Sequence, residues 1–118
     1  QPGSSTVVQG VASDKFALGY SGIGYKTADV RAVPLAAKAG AKCYDGTAEN
    51  AYSGDYPLSR FLYIYVNVNP NEKLDPARAE LVKFVYSKQG QQAVVKDGYF
   101  PVPKAIADQD LTAKKLIN

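Results

Sequence analysis

The 118-residue chain contains no histidine, methionine or tryptophan, and Cys43 is its single cysteine. Without histidine or a second cysteine there is no His and Cys ligand cluster for a metal, no Cys–His catalytic pair and no internal disulfide. Enzyme chemistry needs a base beside a nucleophile or a metal cluster, and the sequence shows neither arrangement. We therefore predict a protein that is not an enzyme, with no catalytic residue, no metal and no cofactor.

Cys43 lies in a polar stretch of the sequence. It is predicted to be a free thiol accessible to solvent, and the alternative is a small buried apolar residue.

Three acids follow Cys43 in the sequence, Asp45, Glu49 and Asp55. They lack the alternating oxygen-ligand spacing of a calcium loop, so solvated acids are the favoured interpretation.

The sequence also lacks long apolar runs and a large net charge of one sign. No apolar run approaches the length that spans a bilayer, and no basic segment followed by a short apolar stretch marks a signal peptide. The 14 basic and 11 acidic residues give a net charge of +3, and the basic residues are scattered. Nucleic acid is therefore not a predicted partner. Because the chain has no methionine and opens on Gln1, it is expected to be a processed or cut piece of a longer product.

The sequence does contain one long run of strand-forming residues, SRFLYIYVNV at positions 59–68. In a strand, alternate side chains point to opposite faces, and here both sets are apolar. A half-exposed strand would alternate apolar with polar residues. This segment is therefore predicted to be the central strand of a sheet covered on both sides, as in mixed α/β sheets.

The opening segment predicts a short helix over residues 6–12. Ser4 or Ser5 is the expected N-cap, because a serine hydroxyl accepts a hydrogen bond from a free amide of the first turn. A helix start with hydroxyls and a preceding glycine can also hold an anion. Capping is the favoured interpretation, and Ser4 and Ser5 are the candidate ligand-binding residues of this sequence.

The segment between this helix and the central strand has a mixed pattern. Five short elements are predicted there: strands at 16–20 and 30–35, a glycine-rich crossing at 21–25, a helical turn at 36–41 and a helix at 47–52. The expected N-cap of the last helix is Thr47 or Asp45.

Helices dominate the sequence after the central strand. Asp75 as N-cap and Pro76 at the first helical position predict a helix. Its predicted apolar face comprises Ala77, Leu81, Phe84 and Val85. Ser87 is predicted to cap a second helix, and Gly98 to stop it. A last amphipathic helix is predicted at about 104–116, with Ile106, Leu111 and Leu116 as its apolar anchors.

Three separated segments carry a family resemblance. They are PGSSTVVQGVASDKFALGYSGIGY from position 2, YPLSRFLYIYVN from position 56 and LVKFVYSKQGQQAVVKDGYFPVP from position 81. In this order and at these intervals they resemble the phosphate-binding proteins of bacterial phosphate ABC importers. The resemblance extends over nearly the whole chain, and residues 36–55 are its least diagnostic part. It implies an α/β fold that is part of a two-lobed periplasmic binding protein (type II, Venus-flytrap), with a mixed sheet flanked by helices.

The resemblance also implies a division of the chain. Residues 1–20 would be the end of the second lobe, 21–29 the hinge crossing and 30–118 the C-terminal part of the first lobe. Because the chain resembles only the C-terminal portion of these proteins, a missing N-terminal segment is an implied partner.

The ligands of this family are Ser and Thr hydroxyls, helix amides, one Asp and one Arg, and they lie in segments that the sequence does not contain. Arg31, Arg60 and Arg78 lack the motif that would identify the ligand arginine. The resemblance implies a piece that supplies scaffold and hinge to a protein capturing inorganic phosphate for a membrane ABC permease. It would act in the periplasm or outside the cell. The alternative is a fragment of a secreted phosphatase or of another enzyme on a related fold.

Overall fold

A computed structural model of the chain describes residues 1–69 and 71–116. Position 70 and the last two positions of the predicted range 30–118 lie outside the described residues. The chain divides into two compact units, Gln1–Leu62 and Tyr63–Asn118. None of the helices in the described part is long and apolar enough to cross a membrane.

Helix α1, Ser4–Ser13, is the main element of the first unit. Val8 is buried, and Val7 and Val11 are half-buried, so one valine-rich side of the helix faces inward. Gly19 lies directly against this side. A Cβ atom at position 19 would stand 2.6 Å from Val11 Cγ2, so glycine permits the close approach of the backbone to the helix.

The start of α1 differs from the prediction. Its N-cap is Gly3, with an extended backbone, and no side chain caps the first turn. Because Ser4 and Ser5 are themselves helical, their hydroxyls do not occupy the N-cap position, and the predicted serine capping is wrong. A 3₁₀ turn at Ile23–Tyr25 contacts α1, and Ser21 Oγ donates a hydrogen bond to the Ser4 carbonyl oxygen at 3.4 Å.

Helix α2, Ala48–Ser53, forms where the sequence predicts a short helix. The Asn50 amide donates to Thr47 Oγ1 at 3.3 Å, so Thr47 is the N-cap and that alternative is confirmed over Asp45. The helix ends at Gly54, whose φ of 79° lies in the left-handed region that favours glycine.

The helical turn predicted at residues 36–41 does not form a helix. The Ala41 amide donates to the Lys38 carbonyl oxygen at 3.1 Å, which closes a simple turn. Gly40 has a φ of 78°, and a left-handed residue at that point interrupts helical geometry.

Strand pairing is sparse in the part of the chain that the structure describes. It consists of one isolated antiparallel bridge between Leu35 and Tyr44, with both N···O distances at 2.9 Å. The predicted strand at 16–20 does not form, and the segment 30–35 contributes this bridge at its last residue. Because a strand takes its hydrogen bonds from a neighbouring strand, the mixed sheet is not confirmed here and stays a prediction.

The predicted central strand at 59–68 lies in no β-ladder among the described residues. The side chains of Leu62, Ile64 and Tyr65 are 65%, 63% and 92% exposed. The predicted burial of both faces is therefore absent from this structure. Apolar β-branched and aromatic residues favour an extended backbone, but covering them requires neighbouring elements that the described residues do not supply.

Three helices make up most of the second unit: α3 (Pro76–Tyr86), α4 (Lys88–Lys96) and α5 (Lys104–Ala113). Helix α3 begins as predicted, because the Arg78 amide donates to Asp75 Oδ1 at 3.2 Å. Ser87 then ends α3 and caps α4, where its Oγ accepts from the Gly90 amide at 3.1 Å. The two predicted caps are confirmed.

The predicted apolar face of α3 is wrong in three of its four residues. Ala77 is exposed, and Leu81 and Phe84 are 61% and 53% exposed. The inward side of the helix includes Val85 and Tyr86, which are half-buried. This side faces inward because the chain turns sharply after Tyr86 and because α5 contacts that tyrosine.

Helix α4 ends as the sequence predicts, whereas α5 ends at Ala113, three residues before the predicted end at 116. Gly98, with a φ of 85°, follows α4 and stops it. On α5 the predicted anchor Leu111 is buried and the predicted anchor Ile106 is half-buried, and Ala107 is buried beside them. The third predicted anchor, Leu116, is half-buried but lies beyond the end of the helix. The predicted inward face of this helix is therefore confirmed for Ile106 and Leu111.

Candidate functional site

Ser4 and Ser5, the candidate ligand-binding residues, lie in the first turn of α1. Ser4 is half-buried and Ser5 is exposed. No side chain caps the amides of this turn, and such a helix start favours negative charge. A phosphate dianion that loses its hydration needs many donors, however, and one helix start offers few. Ser4 and Ser5 thus stay candidates rather than parts of an assembled site.

Arg60 and Arg78 make local contacts. Arg78 Nε lies 3.0 Å from Asp75 Oδ2, and its Nη1 donates to the Asn67 carbonyl oxygen at 3.4 Å. Arg60 Nη1 donates to the carbonyl oxygen of Phe61 at 3.3 Å. Arg78 therefore acts as an ion-pair partner at the start of α3, and its guanidinium is already engaged by two neighbours.

The acids predicted to be solvated, Asp45, Glu49 and Asp55, are exposed. Asp55 Oδ2 accepts a hydrogen bond from Ser53 Oγ at 2.8 Å. Within the described residues, no group of three or more His, Cys, Asp and Glu side chains could hold a metal ion. Cys43 is exposed and forms no disulfide, which confirms the accessible thiol over the buried alternative.

A cavity of about 320 Å³ lies in the second unit, where α3 ends and α4 and α5 begin. The cavity is lined by Tyr86, Lys88, Gln91, Val102, Lys104, Ala107 and Asp108. Its lining includes five polar side chains from three helices.

Gln91 joins two backbone segments beside this cavity. Its Nε2 donates to the Val85 carbonyl oxygen at 2.7 Å, and its Oε1 accepts from the Val102 amide at 2.7 Å. One side chain thereby satisfies a carbonyl at the end of α3 and an amide in the extended stretch before α5. Both bonds are partly buried, so they compete less with water than surface bonds do.

Tyr86 joins α3 to α5. Its hydroxyl donates to Asp110 Oδ2 at 2.8 Å. Burial, which disfavours the phenolate, and the hydrogen bond and negative charge of Asp110 together raise the pKa of Tyr86 to about 12. The hydroxyl is therefore protonated at neutral pH and acts as a donor, not as a base.

The remaining charges of the cavity do not assemble catalytic groups. Lys104 forms an ion pair with Asp108 one turn further along α5. Gln91 has no acid–base chemistry, and Tyr86 keeps its proton. The bonds of Tyr86 and Gln91 hold the helices around this cavity together.

The sequence did not predict the roles of Gln91 and Tyr86. Their partners Val102 and Asp110 lie 11 and 24 residues away. Cap motifs are local patterns, whereas contacts at these separations leave no periodic signal in the sequence. The sequence pattern also did not predict the role of Gly90, where a Cβ atom would lie 2.1 Å from the Phe84 carbonyl oxygen.

Comparison with known proteins supplies the family. A family model described as a PBP superfamily domain matches residues 1–89, which is most of the chain. The chain belongs to the PBP superfamily. Among its relatives is the phosphate-binding protein PstS of Pseudomonas aeruginosa, which is 56% identical over 109 residues, or 92% of this chain.

Two relatives of lower identity also match most of this PBP superfamily chain. The phosphate-binding protein PstS 2 of Streptococcus agalactiae is 30% identical over 90% of the chain, and protein SphX of Synechocystis is 35% identical over 83%. The match includes 34%, 33% and 29% of the lengths of the three relatives. The chain therefore spans about a third of the length of the relatives that it matches. These matches confirm the resemblance to phosphate-binding proteins that was predicted from three segments of the sequence.

Proposed function

We propose that this chain is part of a solute-binding protein that captures inorganic phosphate and delivers it to a membrane ABC importer. The observation that carries the proposal is the 56% identity with the P. aeruginosa phosphate-binding protein across 92% of the chain. The relatives from Streptococcus agalactiae and Synechocystis match nearly the same share of the chain at lower identity, so the likeness does not depend on one comparison. The protein would act in the periplasm or outside the cell.

The proposed role of this chain within the protein is to supply scaffold and hinge. We assign residues 1–20 to the end of a second lobe, 21–29 to the crossing and 30–118 to part of the first lobe. Two observations support a hinge at 21–29: glycines stand at positions 22 and 24, and the segment holds a short 3₁₀ turn rather than a long rigid element. A few such residues can absorb the backbone rotation of a closing clamp.

Phosphate contacts in the proposed protein come mainly from a missing N-terminal segment. In this chain Ser4 and Ser5 are the candidate contacts, supported by the uncapped amides of their helical turn. The exposed apolar side chains near Ile64 support a further role for the missing segment, since they fit a mixed sheet that the segment would complete.

The enzyme alternative has no specific observation in its favour. Two of the three relatives described above are named as phosphate-binding proteins, and none of the three is named as an enzyme. Of the polar groups that line the 320 Å³ cavity, Gln91 bonds to the backbone, Tyr86 donates to Asp110, and Lys104 pairs with Asp108. We therefore propose a binding protein and not a phosphatase.

Isothermal titration with inorganic phosphate tests the proposal, applied to a longer polypeptide that carries this sequence and to the isolated chain. We expect a saturable site of micromolar affinity or tighter in the longer polypeptide and none at micromolar level in the isolated chain. A p-nitrophenyl phosphate assay on both samples should show no turnover. Turnover, or no phosphate binding by the longer polypeptide, would overturn the proposed function. A saturable site in the isolated chain would instead mean that the phosphate-binding residues lie within residues 1–118.

A further inference from the structure

We draw no further inference here: the strongest candidate, the exposed apolar surface that Ile64, Tyr65 and Val66 form in the second unit, is an unpartnered face, and nothing in the structure shows what covers it.

Discussion

The hydroxyl of Tyr86 donates a hydrogen bond to Asp110 across 2.8 Å, although 24 residues of sequence separate the two. The tyrosine stands at the last position of α3, and the aspartate lies in the second half of α5. This bond fixes the end of one helix against another helix of the same unit. Because its acceptor is a carboxylate, it is stronger than a bond between neutral groups.

We predict that Tyr86→Phe destabilises the chain by about 1 kcal/mol, because it removes this bond while keeping the aromatic ring. The free energy of unfolding from urea titration measures the effect. Tyr20→Phe is the matched control, since Tyr20 is 70% exposed, and it should change stability by less than about 0.5 kcal/mol. Equal effects of the two variants would mean that the bond to Asp110 adds nothing to stability.

The raised pKa of Tyr86 gives a second readout of the same bond. The folded pKa of about 12 lies above the ordinary value of 10.0, so the folded state holds the proton more tightly than the unfolded state. The stabilisation is fully present below pH 10 and is lost as the pH rises from 10 towards 12. Absorbance titration of the phenolate should therefore show a late-titrating component that Tyr86→Phe removes. If the late phase of the titration persists in the Tyr86→Phe variant, that phase belongs to another tyrosine.

Gln91 provides the next prediction, because its amide bridges Val85 and Val102 through two bonds of 2.7 Å. Gln91→Ala should lower the free energy of unfolding by about 2 kcal/mol, since both backbone groups are partly buried and lose their partner. Gln92→Ala is the matched control, because Gln92 is the exposed neighbour, and it should have little effect. Alanine is the better helix former, so helix propensity cannot cause a loss in either variant. A comparable loss in both variants would therefore contradict a specific contribution of the bridge.

Gln91→Glu separates the two bonds of the bridge. A carboxylate can still accept from the Val102 amide, but it repels the Val85 carbonyl oxygen, to which Gln91 donates. The folded state therefore disfavours the ionised Glu and raises its pKa. The loss of stability should shrink as the pH falls through that raised pKa towards the ordinary glutamate value of about 4.3, below which both states are protonated. A loss that is independent of pH would contradict this geometry.

Two glycines in helices should respond in opposite directions to the same substitution. A Cβ atom at Gly90 would lie 2.1 Å from the Phe84 carbonyl oxygen and 2.7 Å from that of Val85, and both are backbone atoms that cannot yield easily. Gly90→Ala should therefore destabilise by about 3 kcal/mol. Gly10 in α1 has nothing within 4 Å of such an atom, so Gly10→Ala should stabilise by up to about 1 kcal/mol. Urea unfolding followed by circular dichroism measures both, and a stabilising Gly90→Ala would show that α4 does not approach α3 so closely.

Local parts of the fold were predictable from the sequence. The caps at Thr47, Asp75 and Ser87 form between residues three positions apart, so the pattern contains both partners of each bond. The serine cap of α1 failed for an equally local reason. Gly3 takes the N-cap position in an extended conformation, and the serines then enter the helix.

Long-range parts of the fold were not predictable. The apolar residues of α3 identify a helix, but which side faces inward depends on where α4 and α5 pack, and Leu81 stays exposed while Tyr86 turns inward. The candidate site shows the same limit. Ser4 and Ser5 could be named from a local pattern, whereas the Gln91 bridge depends on a partner 11 residues away.

The predicted central strand can be tested with Ile64→Asp. In the isolated chain Ile64 is 63% exposed, so the new carboxylate stays hydrated and the free energy of unfolding should change by less than about 0.5 kcal/mol. In a longer polypeptide whose mixed sheet covers both faces of residues 59–68, the same change buries an unpaired charge. It should then destabilise by roughly 3 kcal/mol or more.

The matched control for this substitution is Asn71→Asp, which adds the same charge at an exposed position just after the segment. It should have little effect on stability in either protein, because its carboxylate reaches water in both. Urea unfolding of the four variant proteins decides between the two environments of Ile64. A small effect of Ile64→Asp in the longer polypeptide would mean that the segment is not a covered strand, and the proposed sheet would then be wrong. A large effect in the isolated chain would instead show that Ile64 is buried there, because a solvated carboxylate cannot destabilise a folded chain by that amount.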